Sequence, residues 1–185
     1  LDAEERRLIG IDIKTVEYGF PIGMPTCRPM GNGLYEVRTD LPQGRKARVL
    51  FFIHQGSIVL LHGFIKKKPE NTQERIRFSF RAKTASGGNV MKKNPYIGSS
   101  LDDLFEEEGT LEEINIIAIK RVIAWQIQQE MITKKLSKTE MAQKMKTSRS
   151  SLERLLDPDN SSVTLDTIGR AASVIGKRVR LELID

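Results

Sequence analysis

One cysteine, Cys27, in 185 residues excludes an internal disulfide, and two histidines, His54 and His62, are too few for an ordinary zinc site. No apolar run approaches the roughly 18 residues needed to cross a bilayer, and nothing resembles a signal peptide, so a cytoplasmic location away from membranes is expected. Internal repeats are also lacking. Hydrophobic residues make up 39% and the mean hydropathy is −0.34, which suits a soluble globular chain of one large domain or two small ones. No cofactor and no metal are expected.

Charge is abundant and uneven. The net charge is +6 and the pI about 9.5. Residues 1–86 hold fifteen Lys and Arg against nine Asp and Glu, residues 101–133 two against eight, and residues 134–180 eleven against five. Two basic modules therefore flank an acidic segment. Basic modules suit nucleic acid, through phosphate neutralisation and counterion release. Solvated helix charge accounts for any one such run, but the reversal of sign across the middle favours the nucleic-acid reading.

Residues 1–18 read as a helix with Leu8, Ile9, Ile11, Ile13 and Val16 on or near one apolar face. Gly19, Pro21, Gly23, Pro25 and Pro29 then predict an irregular connection. Strands are predicted over residues 34–39, 47–54 and 57–64, the last two joined at Gln55-Gly56 as a hairpin. A helix followed by an antiparallel meander implies an α+β module. Beyond Lys66-Lys67-Lys68-Pro69 the pattern weakens: residues 75–81 are strand-like without a clear apolar face, and residues 84–89 are small, polar and Gly-rich, as a linker is. The expected division is a first module over 1–86, a linker over 87–100 and a helical module over 101–185. In the last, acidic residues 102–113 lead into a long helix over 111–135, whose apolar face is wider than one small bundle needs. Thr164 caps a further helix to about residue 175, and residues 178–183 alternate like a short terminal strand.

Residues 136–156 carry the strongest motif. Ser137 with Glu140 makes a capping box, and Met141, Ala142 and Met145 follow on one helical face. Ser148 offers a second N-cap, after which Leu152, Leu155 and Leu156 face inward while Arg149, Ser150, Ser151 and Arg154 face outward. Ala142 is small where two helices must cross closely. This is the pattern of a helix-turn-helix, whose second helix enters the major groove. It resembles the Xre/lambda-repressor-like family, with Lys146 where that family usually has a turn glycine, so strain is expected there. The resemblance makes Ser148, Arg149, Ser150, Ser151 and Arg154 candidates for base and backbone reading, Arg149 foremost as a bidentate partner of guanine. Lys138, Asn160, Ser161 and Ser162 are candidates for phosphate contacts. Ordinary helix surface is the alternative for Ser150 and Ser151. One such module reads a half-site, so a homodimer on a palindromic operator is expected.

The strand region, Asn32-Gly33-Leu34-Tyr35-Glu36-Val37-Arg38, then residues 45–53, then Leu60-Leu61-His62-Gly63-Phe64-Ile65-Lys66-Lys67, resembles the RelE/HigB toxins, in particular their phage-derived branch. The resemblance covers about residues 1–68. Residues 92–185 resemble the HigA-type antitoxin encoded beside such toxins. The first resemblance implies a ribosome-associated mRNA endoribonuclease, with Arg38, Arg48, Lys66 and Lys67 around a basic cleft, Glu36 as base or salt-bridge partner, and His62 as proton carrier. As plain residues, Arg38 and Arg48 also fit a strand surface, His62 a packed histidine, and Lys66 to Lys68 a solvated run.

Relative to that family the leading strand is absent and the stretch after Lys68 is replaced, so a truncated, inactive toxin joined to its antitoxin is expected, by gene fusion or frameshift, with Met91 as the former antitoxin start. The acidic residues 102–113 are expected to pack on the basic toxin module and block RNA. Two alternatives stand beside this: a working mRNA interferase inhibited in cis, and a repressor whose first half senses a ligand.

Overall fold

The computed structural model describes residues 1–66, 98–158, 160 and 162–180, in two units, Leu1–Asn115 and Ile116–Asp185. In the first unit Asp2 caps helix α1 (Ala3–Gly19) by accepting from the Glu5 amide, while the Glu5 carboxylate accepts from the Asp2 amide. Two orphan donors at the helix start are thereby satisfied. Ile11 and Val16 are buried, as the apolar spacing predicts.

Four strands follow as an antiparallel meander in chain order: β1 (Cys27–Gly31), β2 (Leu34–Asp40), β3 (Lys46–His54) and β4 (Ser57–Ile65). The three predicted strands are present, and Gln55-Gly56 is the hairpin turn, with φ of 49° and 83°. Positive φ at both central residues matches the twist of a two-residue hairpin. The first strand is a correction, since the sequence predicted an irregular connection there. Pro29 cannot donate to a ladder, but β1 lies at the sheet edge, where its missing N–H costs little. Asn32-Gly33, with φ of 51° and 70°, turns β1 into β2.

The pairing register sorts the sheet into two faces. Tyr35 lies opposite Phe51 on one face, and both meet Phe20 at the end of α1, with ring centroids 5.1 and 6.4 Å from it. The other face carries Glu36 opposite Leu50 and Arg38 opposite Arg48.

The acidic stretch forms two helices. Ser100 and Asp103 make a capping box for α2 (Leu101–Glu107). Gly109, at φ 67°, breaks the path before α3 (Leu111–Thr133). Residues 101–115 group with the first unit. The reason is local: Phe105 is buried, and the acidic side chains around it bond to α1.

The second unit holds the rest of α3 with α4 (Lys138–Lys144), α5 (Arg149–Leu156) and α6 (Leu165–Val174). Ile127 and Met131 of α3, Met141 and Ala142 of α4, Leu152 and Leu155 of α5 and Ala171 of α6 form one core. Thr164 caps α6 as predicted. Ile116 and Ile119 remain exposed on α3, in keeping with its wide apolar surface. The expected terminal strand is not seen: residues 178–180 have no regular structure, and the remainder of that segment lies outside the described residues, as does the strand-like stretch at 75–81. No helix among the described residues is long and apolar enough to cross a membrane.

Candidate functional site

Two side-chain groups carry charge in an organised way, one in each unit. In the first, the register places Arg28, Glu36, Leu50 and His62 in one row across the sheet, and Arg38, Arg48 and Phe64 in the next. Neighbouring rows on one face bring Glu36 between the two arginines. Its Oε1 lies 3.7 Å from Arg38 Nε and 3.6 Å from Arg48 Nε. Arg48 is only 3% exposed, and its Nη1 donates to the Ala47 carbonyl at 2.5 Å and to the Thr39 carbonyl at 3.5 Å. Burial lowers its pKa, against the opposing pull of Glu36. Arg38 is half-buried, and its Nη1 reaches the Met24 Sδ at 3.1 Å. Its Nε is buried without a hydrogen-bond partner among the described residues.

The remaining candidates of this group are spread out. His62 is one strand beyond Leu50, so about 10 Å of sheet separates its backbone from that of Glu36. Its ring stacks with Phe64, centroids 5.8 Å apart and 25° between planes. Lys66 is exposed just past β4, its amide bonded to the Lys46 carbonyl, and Lys46 pairs with Asp40 at 3.0 Å. Lys67 lies outside the described residues. Arg38 and Arg48, expected around a basic cleft, both lie against Glu36, in keeping with the salt-bridge role, one of the two expected of it. Cys27 on β1 is buried, and desolvation, with the charge of Glu36 adding to it, pushes its thiol up to about 11.

The second group sits on α4 and α5. The Ser137 hydroxyl accepts from the Glu140 amide at 3.2 Å, and the Glu140 carboxylate accepts from the Ser137 amide at 2.8 Å. The Ser137 hydroxyl also donates to the Glu140 carboxylate at 2.6 Å, and this bond, with the one from the Ser137 amide, holds the Glu140 carboxyl below its usual range. The chain leaves α4 through Lys146, at φ 52°, with its amide donating to Gln143 and the Thr147 amide to Ala142. That closure normally takes glycine. Ser148 then caps α5, accepting from the Ser151 amide at 3.1 Å and lying 3.0 Å from the Ser150 hydroxyl. Leu152, Leu155 and Leu156 are buried, while Arg149, Ser150 and Arg154 are exposed and Ser151 is half-buried. Arg149 Nε donates to Glu153 at 3.1 Å one turn on. Lys138 is exposed at the start of α4, and Ser162 donates its amide to Asn160 Oδ1 at 2.9 Å. Ser161 lies outside the described residues.

Three residues of α3 hold the far end of α5 and were not singled out in the sequence. Lys120 Nζ donates to the Asp157 carbonyl, Arg121 Nε to Pro158 at 3.1 Å, and Gln128 Nε2 to Leu156 at 3.1 Å. Cationic donors suit the carbonyl-rich C-terminal end of a helix. The available signal was Lys120 and Arg121, the two cations that interrupt the apolar run of α3 after Ile119.

The acidic segment does meet the first unit, but on α1. Its ion pairs join Asp102 to Lys14, Glu108 to Arg6 and Glu113 to Arg7. Among the described residues the ion pairs of Arg38 and Arg48 go to Glu36, on the sheet face opposite the Phe20 ring cluster.

Residues 1–84 match the profile of a family described as phage derived protein Gp49-like (DUF891). That stretch spans α1 and all four strands, the same region whose motifs resemble the phage-derived toxins. No curated protein and no solved structure matches the chain.

Proposed function

We propose that this chain joins a toxin-like module of the RelE/HigB kind to an Xre-type antitoxin module, and that α4 and α5 form a helix-turn-helix which binds operator DNA as an autorepressor. The observation that carries the reading is the α4–α5 pair itself. Both helices are capped by serine, the crossing is built on Ala142 and Met145, and α5 exposes Arg149, Ser150 and Arg154 from its first two turns. A short helix held by a buried leucine face, with cations and hydroxyls outward, fits the major groove. Lys120, Arg121 and Gln128 fix the orientation of α5, which precise base contacts need. A homodimer on a palindromic site supplies the second half-site.

Nuclease chemistry is not part of this reading. A phosphate-directed site needs cations free to meet the developing charge, whereas the Arg48 guanidinium is buried and bonded to two backbone carbonyls. The test is a salt-dependent mobility-shift assay on the DNA upstream of the coding sequence, comparing wild type with Arg149→Ala plus Arg154→Ala. Sequence-selective binding that the double variant loses supports the proposal. Weak binding that ignores sequence and is equal in both proteins overturns it. The second reading, a working mRNA interferase held inactive in cis, rests on Arg38, whose side chain is partly exposed. Translation arrest after proteolytic release of the first half would favour it.

A further inference from the structure

Arg6, Gly10, Lys14 and Tyr18 recur every fourth residue along α1 and so form one stripe, with Arg7 beside it. Residues 100–115 answer it position by position. Glu108 meets Arg6 at 2.7 Å, Glu113 meets Arg7 at 2.6 Å, Asp102 meets Lys14 at 2.6 Å, and Asn115 Oδ1 accepts from the Tyr18 hydroxyl at 2.8 Å. At the centre Phe105, 2% exposed, lies over Gly10. A Cβ at Gly10 would come 2.7 Å from Phe105 Cε2 and 3.1 Å from Cε1, so only glycine leaves room for the ring there.

Every ion pair across this contact has its cation on α1 and its anion on residues 100–115. An aromatic anchor in a fitted hollow, ringed by complementary charge, is how separate proteins recognise one another. The intervening chain includes the Gly-rich residues 84–89, whose composition supplies no comparable recognition element.

We propose that the α1 stripe is a docking site for an acidic helical segment with a central phenylalanine, and that residues 100–115 are a self-sufficient docking motif for it. The peptide linkage between the two halves is dispensable: as separate chains they assemble through this contact. The Gly10 hollow sets which segments are accepted, and the cations on either side set the required charge. This holds whether or not α5 binds DNA.

The test uses the full chain with a protease recognition sequence inserted between Gly87 and Gly88, cut after folding, with association of the two pieces read by size-exclusion chromatography and titration. The pieces are expected to stay together at low salt and to weaken as salt rises. Gly10→Ala and Phe105→Ala are each expected to weaken association on the order of a hundredfold, and the double variant little more than either. Arg7→Glu is expected to cost about fivefold, recovered when Glu113→Arg is added. Circular dichroism before cutting identifies any variant that misfolds, and the charge exchange at partly exposed side chains gives an independent reading if Gly10→Ala does. Separation of the wild-type pieces at low salt overturns the proposal. So does additivity of Gly10→Ala with Phe105→Ala, or failure of Glu113→Arg to restore what Arg7→Glu removes.

Discussion

Arg38 and Arg48 stand directly opposite each other on β2 and β3, and both guanidinium groups turn to the same carboxylate, Glu36. Like charges at opposed positions of a sheet repel, so Glu36 is what allows the pair. The two cations are not equivalent. Arg48 is enclosed and bonded to backbone, whereas Arg38 is partly open.

That asymmetry separates stability from ligand contact. Arg48→Met leaves Glu36 buried with one weak partner, and breaking a buried pair in this way costs about 3 kcal/mol. Denaturant unfolding should show the loss, and adding Glu36→Leu should return much of it. Arg38→Ala, at a partly exposed position, should cost under about 1 kcal/mol. Equal losses for Arg38→Ala and Arg48→Met would contradict this account.

Lys146 occupies the left-handed region at φ 52° in the turn between α4 and α5. A side chain there costs of order 1 kcal/mol, which glycine avoids. Lys146→Gly should therefore raise the unfolding free energy by up to about 1 kcal/mol, after the greater flexibility of glycine in the unfolded chain is offset. An unchanged or lower midpoint in a thermal or urea scan would show that the lysine makes a compensating contact.

The strands from Leu34 to Ile65 were legible because alternating and apolar runs met a clear turn signal at Gln55-Gly56. The caps at Ser137, Ser148 and Thr164 were legible for a similar reason, since a hydroxyl just before an apolar period has a local job. β1 was hidden because Pro29 and its glycine neighbours argue against a strand, and only the edge position, a property of the whole sheet, reverses that argument. Gly10 gave no signal either. A glycine inside a helix reads as a cost until Phe105, ninety-five residues away in sequence, is seen to need the space. Charge patterning identified the acidic segment and its attraction to a basic module, but not which cations it would meet. Arg6, Arg7 and Lys14 outcompete the strand arginines because Phe105 fixes the segment on α1.

Burial holds the Cys27 thiol protonated, pushed up to about 11. Only the thiolate reacts appreciably with disulfide reagents, so near pH 8 the folded protein should label slowly. Urea-unfolded chain should label at the rate of a free thiol. Rapid labelling of the native protein, at a rate independent of unfolding, would show that β1 opens readily.

Acid should weaken the contact between α1 and residues 100–115. The hydrogen bond from Arg7 holds the Glu113 carboxyl below its ordinary 4.5, against a small opposing desolvation. A group depressed on folding contributes stability that is fully present above its unfolded value and is lost as pH falls through the folded one. At the other edge Lys14 is raised: burial opposes its charge, but the bonds to Asp102 and Glu17 outweigh that. Its contribution is therefore present below 10.5 and lost only as pH rises through the folded value. Between about pH 6 and pH 3 the wild-type unfolding midpoint should therefore fall more than that of Glu113→Gln, which has no proton to take up at this position. Parallel curves for the two proteins would mean that Arg7 and Glu113 are not paired in solution, and the charge ring around Phe105 would then be reduced to Arg6, Lys14 and their partners.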